Sequence, residues 1–372
     1  MEEWNKDTPL KVLMTTDTIG GVWSYTVELC KSMQDASVHF HLVTTGAAMQ
    51  PFQKEEINAL ENVTVYETGF LLEWMDTPWQ SIDASATWLL QLAAEVQPNL
   101  VHLNSYSYGA LPWNVPVVMV AHSDVFSWWL AVKQGYPSVQ WNTYFKKVHR
   151  GLQKATLIIA PSKSSLKDIR KIYFGTAPGS VIYNGRSNGL FYAAEKQKVI
   201  CSMGRIWDEA KNIRLLVDAA RQIRYPVRLA GDTSFGQEYC STAGANITYL
   251  GKLPPKEIAA ELSVASIYVL PAKYEPFGLS VLEAALSGCA LVLGNITSLK
   301  EIWGDSAIYV NTKDAGNLAE TINQLMENDH LRKQYSAMAM ERAKRYSTAA
   351  MAESYIKVYQ DLLKTQQLAT AT

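Results

Sequence analysis

Two carboxylates stand eight residues apart in a segment whose composition is otherwise that of a buried core. The segment YEPFGLSVLEAALSGCALV, residues 274–292, contains Glu275 and Glu283 but no Lys or Arg. A buried carboxylate that lacks hydrogen-bond partners is strongly destabilising. We therefore expect both carboxylates to accept hydrogen bonds from the hydroxyl groups of a ligand, rather than to pair with protein cations.

The pattern of residues around these carboxylates predicts a loop over 272–276 and a helix over 277–287. Glu275 then precedes the helix, beside the N–H groups of its first turn, which have no partner within the helix. In the alternative interpretation, Glu275 only stabilises the helix dipole, and Glu283 is hydrogen-bonded to nearby backbone.

A second loop, GRIWDEAKN at 204–212, contains two cations between a predicted strand and a predicted helix. Arg205 and Lys211 could hold a diphosphate, because a guanidinium fork and an ammonium group both bind phosphate oxygens. The alternative is a solvated loop in which Arg205 pairs with Asp208 or Glu209.

Two loops in the first half of the chain also follow predicted strands. Gly20 and Gly21 follow the first strand and open a helix, which lets a phosphate or a sugar approach the backbone N–H groups. The loop is not G-x-G-x-x-G, which disfavours a nicotinamide cofactor. His122 follows another strand, where it could donate to a substrate oxygen or act as an acid or base. A tight turn and a structural histidine are the respective alternatives.

Short β-branched runs alternate with amphipathic helices along most of the chain, which is typical of βαβ units and parallel sheets. Strands are predicted at 11–16, 38–45, 99–104, 115–122 and 155–161, and then, after the turn-rich YNGRSNG (183–189), at 198–204, 226–231, 246–251, 265–271, 289–294 and 306–310. The predicted fold class is therefore α/β, with two doubly wound sheets in tandem. Ligands of such sheets lie beyond the carboxyl ends of the strands, so an interdomain cleft is expected to contain the loops described above.

The bulk composition agrees with two domains and excludes several classes of protein. The chain has 372 residues, 48% hydrophobic and 19% charged, with a net charge of −1. This near-neutral balance disfavours a nucleic-acid binder. Four cysteines without metal-binding spacing, Cys30, Cys201, Cys240 and Cys289, predict reduced core residues. The acidic N-terminus and the lack of a long apolar run predict a cytoplasmic protein without a secretory signal.

Several motifs occur in the order found in one known family. EPFGLSVLEA matches an E-x7-E motif. SMGRIWDEAKNIRLLVDA is similar to a G-R-x-x-x-x-K-N loop, with one more residue between Arg205 and Lys211. TDTIGGVWSYTVELCKSM resembles an N-terminal glycine loop, AHSD a His-x-Asp region, APSKSSLKDI an A-P-S segment, and VIYNGRSNGLF the pattern V-I-P-N-G-V-D-x-x-x-F. With these motifs the chain resembles the retaining glycosyltransferases of family 4 (the glycosyl transferases group 1 type), which have the GT-B fold. Tyr183 and Ser187 depart from that family's usual Pro and Asp.

The resemblance implies an N-terminal acceptor-side Rossmann-like domain at 1–187, a donor-binding domain at 188–345, and a C-terminal helix at 346–372 that crosses back to the first domain. It implies that a nucleotide-diphosphate sugar binds mostly to the second domain. Arg205 and Lys211 would hold the diphosphate and stabilise the charge of the leaving group. Glu275 would bind the donor sugar and Glu283 the ribose hydroxyls.

The resemblance also assigns backbone and first-domain contacts. N–H groups of Phe277, Gly278 and Leu279 would bind sugar or phosphate. Gly20 and Gly21 would close the site from the first domain, and His122 would lie near the reactive face of the donor sugar. The expected catalytic residues are then His122, Glu275, Arg205 and Lys211.

The implied reaction is the transfer of a hexose, with retention and without a metal or other cofactor, to a hydroxyl of a glycan, lipid-linked or small-molecule acceptor in glycoconjugate or polysaccharide biosynthesis. Two alternatives are a nucleotide-sugar epimerase of similar architecture and a non-catalytic two-domain protein that binds a nucleotide sugar. The sequence leaves open the donor base (UDP, GDP or ADP), the sugar, the acceptor, the linkage and the oligomeric state.

Tryptophans and basic residues cluster in the first half of the chain. Nine of the eleven tryptophans precede residue 150, among them Trp4. Trp23, Trp128 and Trp129 are candidates for a platform that stacks on an acceptor sugar, while Trp88 and Trp113 are expected to pack in the core. Segment 146–171 holds eight basic residues against one acid, Asp168. An ordinary solvated surface is the favoured interpretation of this segment, and peripheral contact with anionic lipid is the other.

Overall fold

The computed structural model describes residues 9–232 and 246–370, so Trp4 and Cys240 lie outside the described residues. Contacts within the chain divide it into two compact units. Unit 1 comprises residues within 1–129, 136–185 and 348–372, and unit 2 comprises residues within 130–135 and 186–347.

The sheet of unit 1 has seven parallel strands in the order β3-β2-β1-β4-β5-β6-β7. The strands are β1 (Leu10–Asp17), β2 (Val38–Thr45), β3 (Val63–Glu67), β4 (Leu100–Leu103), β5 (Val117–Val120), β6 (Leu157–Ala160) and β7 (Gly179–Val181). The helices up to residue 185 are α1 (Gly21–Ser32), α2 (Pro51–Asn58), α3 (Trp79–Val96), α4 (Val125–Lys133), α5 (Asn142–Lys154) and α6 (Lys163–Ile172). Every residue of β4 and β5 is buried, as expected of parallel strands covered on both faces.

The sheet of unit 2 has six parallel strands in the order β10-β9-β8-β11-β12-β13. The strands are β8 (Gln197–Met203), β9 (Val227–Ala230), β10 (Ile247–Gly251), β11 (Ala265–Leu270), β12 (Ala290–Gly294) and β13 (Ile308–Val310). The helices are α7 (Ile213–Ala220), α8 (Pro255–Val264), α9 (Leu279–Leu286), α10 (Thr297–Trp303), α11 (Ala315–Glu327) and α12 (Asp329–Ala343). An apolar cluster that includes Ile200, Leu216, Val269 and Ile322 joins the sheet to α7 and α11.

The last helix, α13 (Thr348–Thr370), belongs to unit 1. Tyr355 and Tyr359 on this helix are fully buried there. The hydroxyl of Tyr359 lies 2.6 Å from Nδ1 of His102 in β4, so the helix is bound to the centre of the sheet by a polar contact as well as by apolar packing.

The predicted α/β class with two parallel sheets is confirmed, and the structure adds two strands that the sequence did not indicate. Strand β3 is at the edge of its sheet and only partly buried, so it lacks a continuous apolar run. Strand β7 has three residues at the opposite edge. The helix predicted over 277–287 begins at Leu279, because Gly278 caps it with a φ of +91° that favours glycine. None of the described helices has the length and apolar composition required to span a membrane.

Candidate active site

The order of strands in unit 2 brings together two of the loops singled out in the sequence. Strand β8 is paired with β9 on one side and β11 on the other, which is the point where the strand order reverses. The loop after β8 holds Arg205 and Lys211, and the loop after β11 holds Glu275. Lys273 N–H donates to Ala210 O at 2.8 Å, which joins the two loops directly. A ligand is expected at this position in open parallel sheets.

The loop after β8 is held in shape by its own polar residues. Asp208 is buried and accepts from Ala210 N–H at 2.9 Å and from the Arg205 guanidinium at 2.7 Å. Asn212 adopts a left-handed conformation with φ +56°, which asparagine tolerates better than most residues. Its amide donates to Pro271 O and Thr312 O, both at 2.9 Å. The alternative in which Arg205 pairs with Asp208 is therefore observed, although 39% of the Arg205 side chain stays exposed.

Lys211 and Glu275 form an ion pair across the two loops. Their side chains are 19% and 9% exposed. The expectation that Glu275 does not pair with a protein cation is wrong, because the topology places the end of β11 beside the end of β8. Lys211 belongs to the loop that follows β8, and its side chain is not completely buried.

The first turn of α9 adds hydrogen-bond donors beside the ion pair of Lys211 and Glu275. Phe277 N–H donates to Glu275 Oε1 at 3.4 Å. Within the described residues, the N–H groups of Gly278, Leu279 and Ser280 donate to no other group of the protein. A cation, a carboxylate and unpaired N–H groups therefore meet at one position of the sheet.

Glu283 has a partner that the sequence did not reveal. Its Oε1 lies 2.9 Å from Nε of Arg186, and the two side chains are only 11% and 8% exposed. The expectation that Glu283 lacks a protein cation is thus wrong as well. Arg186 is distant in sequence, and the only indication was its position in VIYNGRSNGLF, where the family pattern has Val.

A buried tyrosine lies close to both carboxylates. The hydroxyl of Tyr268 donates to Ser280 Oγ at 2.8 Å. Burial raises the pKa of Tyr268 far above its ordinary value, and the charges of Glu283 and Glu275 add to the effect. Tyr268 therefore stays protonated and cannot add a third negative charge beside the two acids.

In unit 1, there is free space beside Gly20, in the loop between β1 and α1. Gly20 has a φ of +81°, and a Cβ placed on it would meet no atom within 4 Å. Asp17 shapes the turn by accepting from Ile19 N–H at 2.9 Å. Gly20 and Gly21 are both exposed, so backbone N–H groups at this helix start are accessible to solvent.

His122 follows β5, as expected, but its hydrogen bonds limit what it can do. Nε2 lies 2.8 Å from Asn104 Oδ1, and Asn104 donates its own amide to Thr15 O at 2.7 Å. This orientation of the amide requires a proton on Nε2 of His122, so Nδ1 is left as an acceptor. Burial lowers the pKa of His122 to about 3, so the ring is neutral at pH 7. The expectation that His122 donates to a substrate is therefore replaced by an acceptor at Nδ1. Asn104 is a further residue that the sequence did not indicate.

Lowering the pH from about 7.5 to about 5.5 is expected to reduce the free energy of unfolding. Burial lowers the pKa of His102 and of His122 to about 3, and that of His41 to about 4, from 6.5. Stability from such groups is fully present above the unfolded pKa and is lost as the pH falls below it, because the unfolded chain takes up protons first. Urea unfolding across this range measures the effect. His122→Gln should weaken the pH dependence, and a wild-type stability that does not change would contradict the expectation.

The tryptophans proposed as an acceptor platform do not share one environment. Trp23 is 3% exposed and donates to Glu56 Oε2 at 3.1 Å, so its ring has no free face and its assignment to the platform is wrong. Trp128 and Trp129 are partly exposed neighbours on α4, with ring centroids 6.1 Å apart. Trp88 and Trp113 are half-buried.

Models of known protein families match most of the chain. The model described as Glycosyltransferase Family 4 matches residues 19–187, and the model described as Glycosyl transferases group 1 matches residues 191–342. The O-antigen chain mannosyltransferase B of Escherichia coli is 26% identical over 239 residues, which is 58% of this chain and 63% of that protein. The chain thus spans less than two thirds of this relative.

Two solved structures share the fold over almost the full length. Sucrose-phosphate synthase from Thermosynechococcus elongatus has a TM-score of 0.80 at 18% identity, covering 98% of this chain and 100% of that one. Anabaena HepE in complex with UDP-glucose has a TM-score of 0.76 at 18% identity, covering 95% and 100%. These likenesses confirm the GT-B fold. With the two family models matching in succession, the chain belongs to glycosyltransferase family 4.

Proposed function

We propose that this glycosyltransferase uses a nucleoside diphosphate sugar, bound by unit 2, and transfers the sugar to an acceptor hydroxyl with retention of configuration. The observation that carries the proposal is the meeting of Lys211, Glu275 and the unpaired N–H groups of α9 at the strand-order reversal of unit 2. Lys211 and the N–H groups are hydrogen-bond donors for phosphate oxygens, and Glu275 is an acceptor for sugar hydroxyls.

Lys211 and Arg205 are assigned to the diphosphate. Lys211 is mostly buried, so its charge is weakly screened and acts strongly on the phosphate oxygens. Arg205 is tethered by Asp208 but more exposed, so its contribution should be smaller. Both cations would stabilise the negative charge that develops on the leaving diphosphate.

The two acids are assigned to hydroxyl groups. Glu275 lies beside the first turn of α9 and would accept from the donor sugar, while Lys211 fixes the direction of its carboxylate. Glu283 lies inside α9 and would accept from the ribose. Both roles use ionised carboxylates as acceptors only.

In the proposed reaction, the acceptor oxygen bonds to the anomeric carbon on the face from which the diphosphate leaves. The bond from that carbon to the phosphate oxygen breaks, and the acceptor proton passes to the departing phosphate. Charge compensation by Arg205 and Lys211 leads us to propose that no metal is needed, and activity that is unchanged by a chelator would support this. In unit 1, Nδ1 of His122 would accept from a substrate hydroxyl, and Trp128 with Trp129 would contact the acceptor.

The known proteins support this choice of substrates. Anabaena HepE was solved with UDP-glucose, and the Escherichia coli relative is named a mannosyltransferase of the O-antigen chain. A nucleotide-sugar donor and a glycan or lipid-linked acceptor are therefore the first classes to test.

The proposal is tested by titrating UDP-, GDP- and ADP-sugars against the purified protein and then measuring nucleotide release with and without added acceptors. Release that depends on an acceptor is expected of a transferase. An epimerase would change the donor sugar with no acceptor present, and a binding protein would show affinity without turnover. A protein that binds no nucleotide sugar would refute the proposal.

We also propose that unit 1 contacts anionic membrane surfaces peripherally, through α5, α6 and Phe174. Seven basic side chains there are exposed: Lys146, Arg150, Lys154, Lys163, Lys167, Arg170 and Lys171. Lys147 is instead paired with Asp83. Phe174 is 70% exposed just after α6 and its ring contacts His149, so an apolar side chain accompanies the basic ones. Basic residues beside an exposed aromatic ring favour an anionic bilayer.

Reversing two charges of this surface, Lys167→Glu with Lys171→Glu, is expected to weaken binding to phosphatidylglycerol vesicles by about tenfold or more. The matched control is Lys333→Glu with Lys344→Glu on the exposed face of unit 2. Vesicle sedimentation at low and high salt measures the effect, and wild-type binding should decrease with salt. Equal losses in both double variants, or no wild-type binding, would contradict the proposal.

A further inference from the structure

Arg186 is a buried cation with a role that the proposed function has not used. The residue is 7% exposed and begins the segment 186–347 of unit 2. Its Nε lies 2.9 Å from Glu283 Oε1. A charge this deeply buried is tolerated only where it is well paired.

The backbone and the guanidinium of Arg186 are each held by further contacts. Arg186 N–H donates to Tyr346 O at 3.0 Å, and a bridge joins Arg186 to Ser347. The guanidinium lies over the ring of Phe191, with 5.1 Å between Cζ and the ring centroid. These contacts fix the cation before any ligand binds, so the carboxylate of Glu283 meets a charge at a defined position.

The contacts of Arg186 extend through Tyr346 to the start of α9. The ring of Tyr346 packs edge-on against Phe277, with centroids 5.5 Å apart. Phe277 directly precedes Gly278, the cap of α9. Arg186 is thus linked to the helix that carries Glu283 both by an ion pair and through Tyr346.

We propose that Arg186 is a positioning residue that holds Glu283 as an oriented, ionised acceptor and so gives the site its selectivity for ribose over deoxyribose nucleotides. The inference rests on the proposed role of Glu283 at the ribose. An ionised carboxylate can accept from both hydroxyls of a ribose, whereas a protonated or rotated carboxyl group loses at least one of these bonds. The competing possibility is that Arg186 occupies the carboxylate and hinders the nucleotide.

The test compares a nucleoside diphosphate with its 2′,3′-dideoxy analogue by calorimetry, using whichever of UDP, GDP and ADP the wild type binds. The wild type should prefer the ribose form by at least about tenfold, since hydrogen bonds to a charged group contribute about 1.5–3 kcal/mol each. Arg186→Met should reduce this ratio to within roughly threefold of unity. Arg186→Lys, which keeps the charge but not the fork, should retain an intermediate ratio.

Arg332→Met is the matched control. Arg332 is also a mostly buried arginine of unit 2, with an 11% exposed side chain, and its partner is Asp329 rather than Glu275 or Glu283. Its loss should lower the melting temperature and leave the ribose preference unchanged. A general loss of packing would lower affinity for both nucleotides equally and would not change their ratio.

Three outcomes overturn the inference. Arg186→Met and Arg186→Lys could both keep the wild-type ratio, which would leave the proposed donor site intact but remove Arg186 from it. Tighter nucleotide binding by Arg186→Met would show that the pairing is inhibitory. A wild type that binds nucleotides without ribose preference would refute the role of Glu283 and, with it, that of Arg186.

Discussion

Glu283→Gln is expected to weaken binding of the nucleoside diphosphate donor by about 10- to 100-fold. The amide is nearly isosteric but accepts through one oxygen only, so a hydroxyl that faces its NH2 group loses its acceptor. The neutral side chain also removes the negative charge that Glu283 places beside the buried Arg186. Calorimetry gives the change in affinity, and thermal unfolding followed by circular dichroism shows whether the fold persists.

The choice of Gln over Ala matters for this measurement. Glu283→Ala should abolish donor binding too, but removing one partner of a buried ion pair destabilises a protein by about 3–5 kcal/mol. The matched control is Glu261→Gln, which breaks the partly exposed pair with Arg228 in the same unit. An unchanged donor affinity in a folded Glu283→Gln variant would remove this residue from the donor site.

Lys211→Met is expected to lower kcat by about 10²- to 10³-fold, as does the loss of other groups that stabilise transition-state charge. The developing charge on the leaving diphosphate would lose its most buried cation, and Glu275 would lose its ion-pair partner. Because the ground-state donor already carries negative charge, KM should rise as well, but by a smaller factor.

Lys252→Met serves as its control, since Lys252 is a 75% exposed lysine of unit 2 that pairs with Asp232. Arg205→Met should reduce kcat less than Lys211→Met does, because Arg205 is more exposed and its charge is better screened. A kcat for Lys211→Met within about twofold of the wild type would contradict the assignment of Lys211 to the leaving group.

The sequence predicted the central strands and the loops that follow them. A parallel strand that is buried on both faces forms a continuous apolar run, which can be identified without knowing the neighbouring strands. It did not predict β3 and β7, since edge strands are short and half-exposed. Helix α9 was placed two residues early because the left-handed conformation of Gly278 depends on packing that the pattern does not contain.

The sequence predicted which residues form the candidate site, but not which of their side chains pair with one another. Lys211 and Glu275 are in contact because β8 and β11 are neighbours, and strand order is a property of the whole sheet. The pair of Arg186 and Glu283 depends on the path of the chain into unit 2. Similarly, the tautomer of His122 follows from Asn104 in the adjacent strand-end loop, and no local motif contains both.

The position of α13 also has a consequence for how the protein is made. Most of unit 2, residues 186–347, lies in sequence between two parts of unit 1, one before residue 186 and one after residue 347. On the ribosome, His102 and the sheet around it are synthesised long before Tyr359, which supplies the hydrogen bond to that histidine. Unit 2 can therefore finish folding first, while Nδ1 of His102 still lacks its Tyr359 partner. The order of synthesis and the order of completion are therefore reversed, and a chain that is released before residue 348 would lack the helix that completes unit 1.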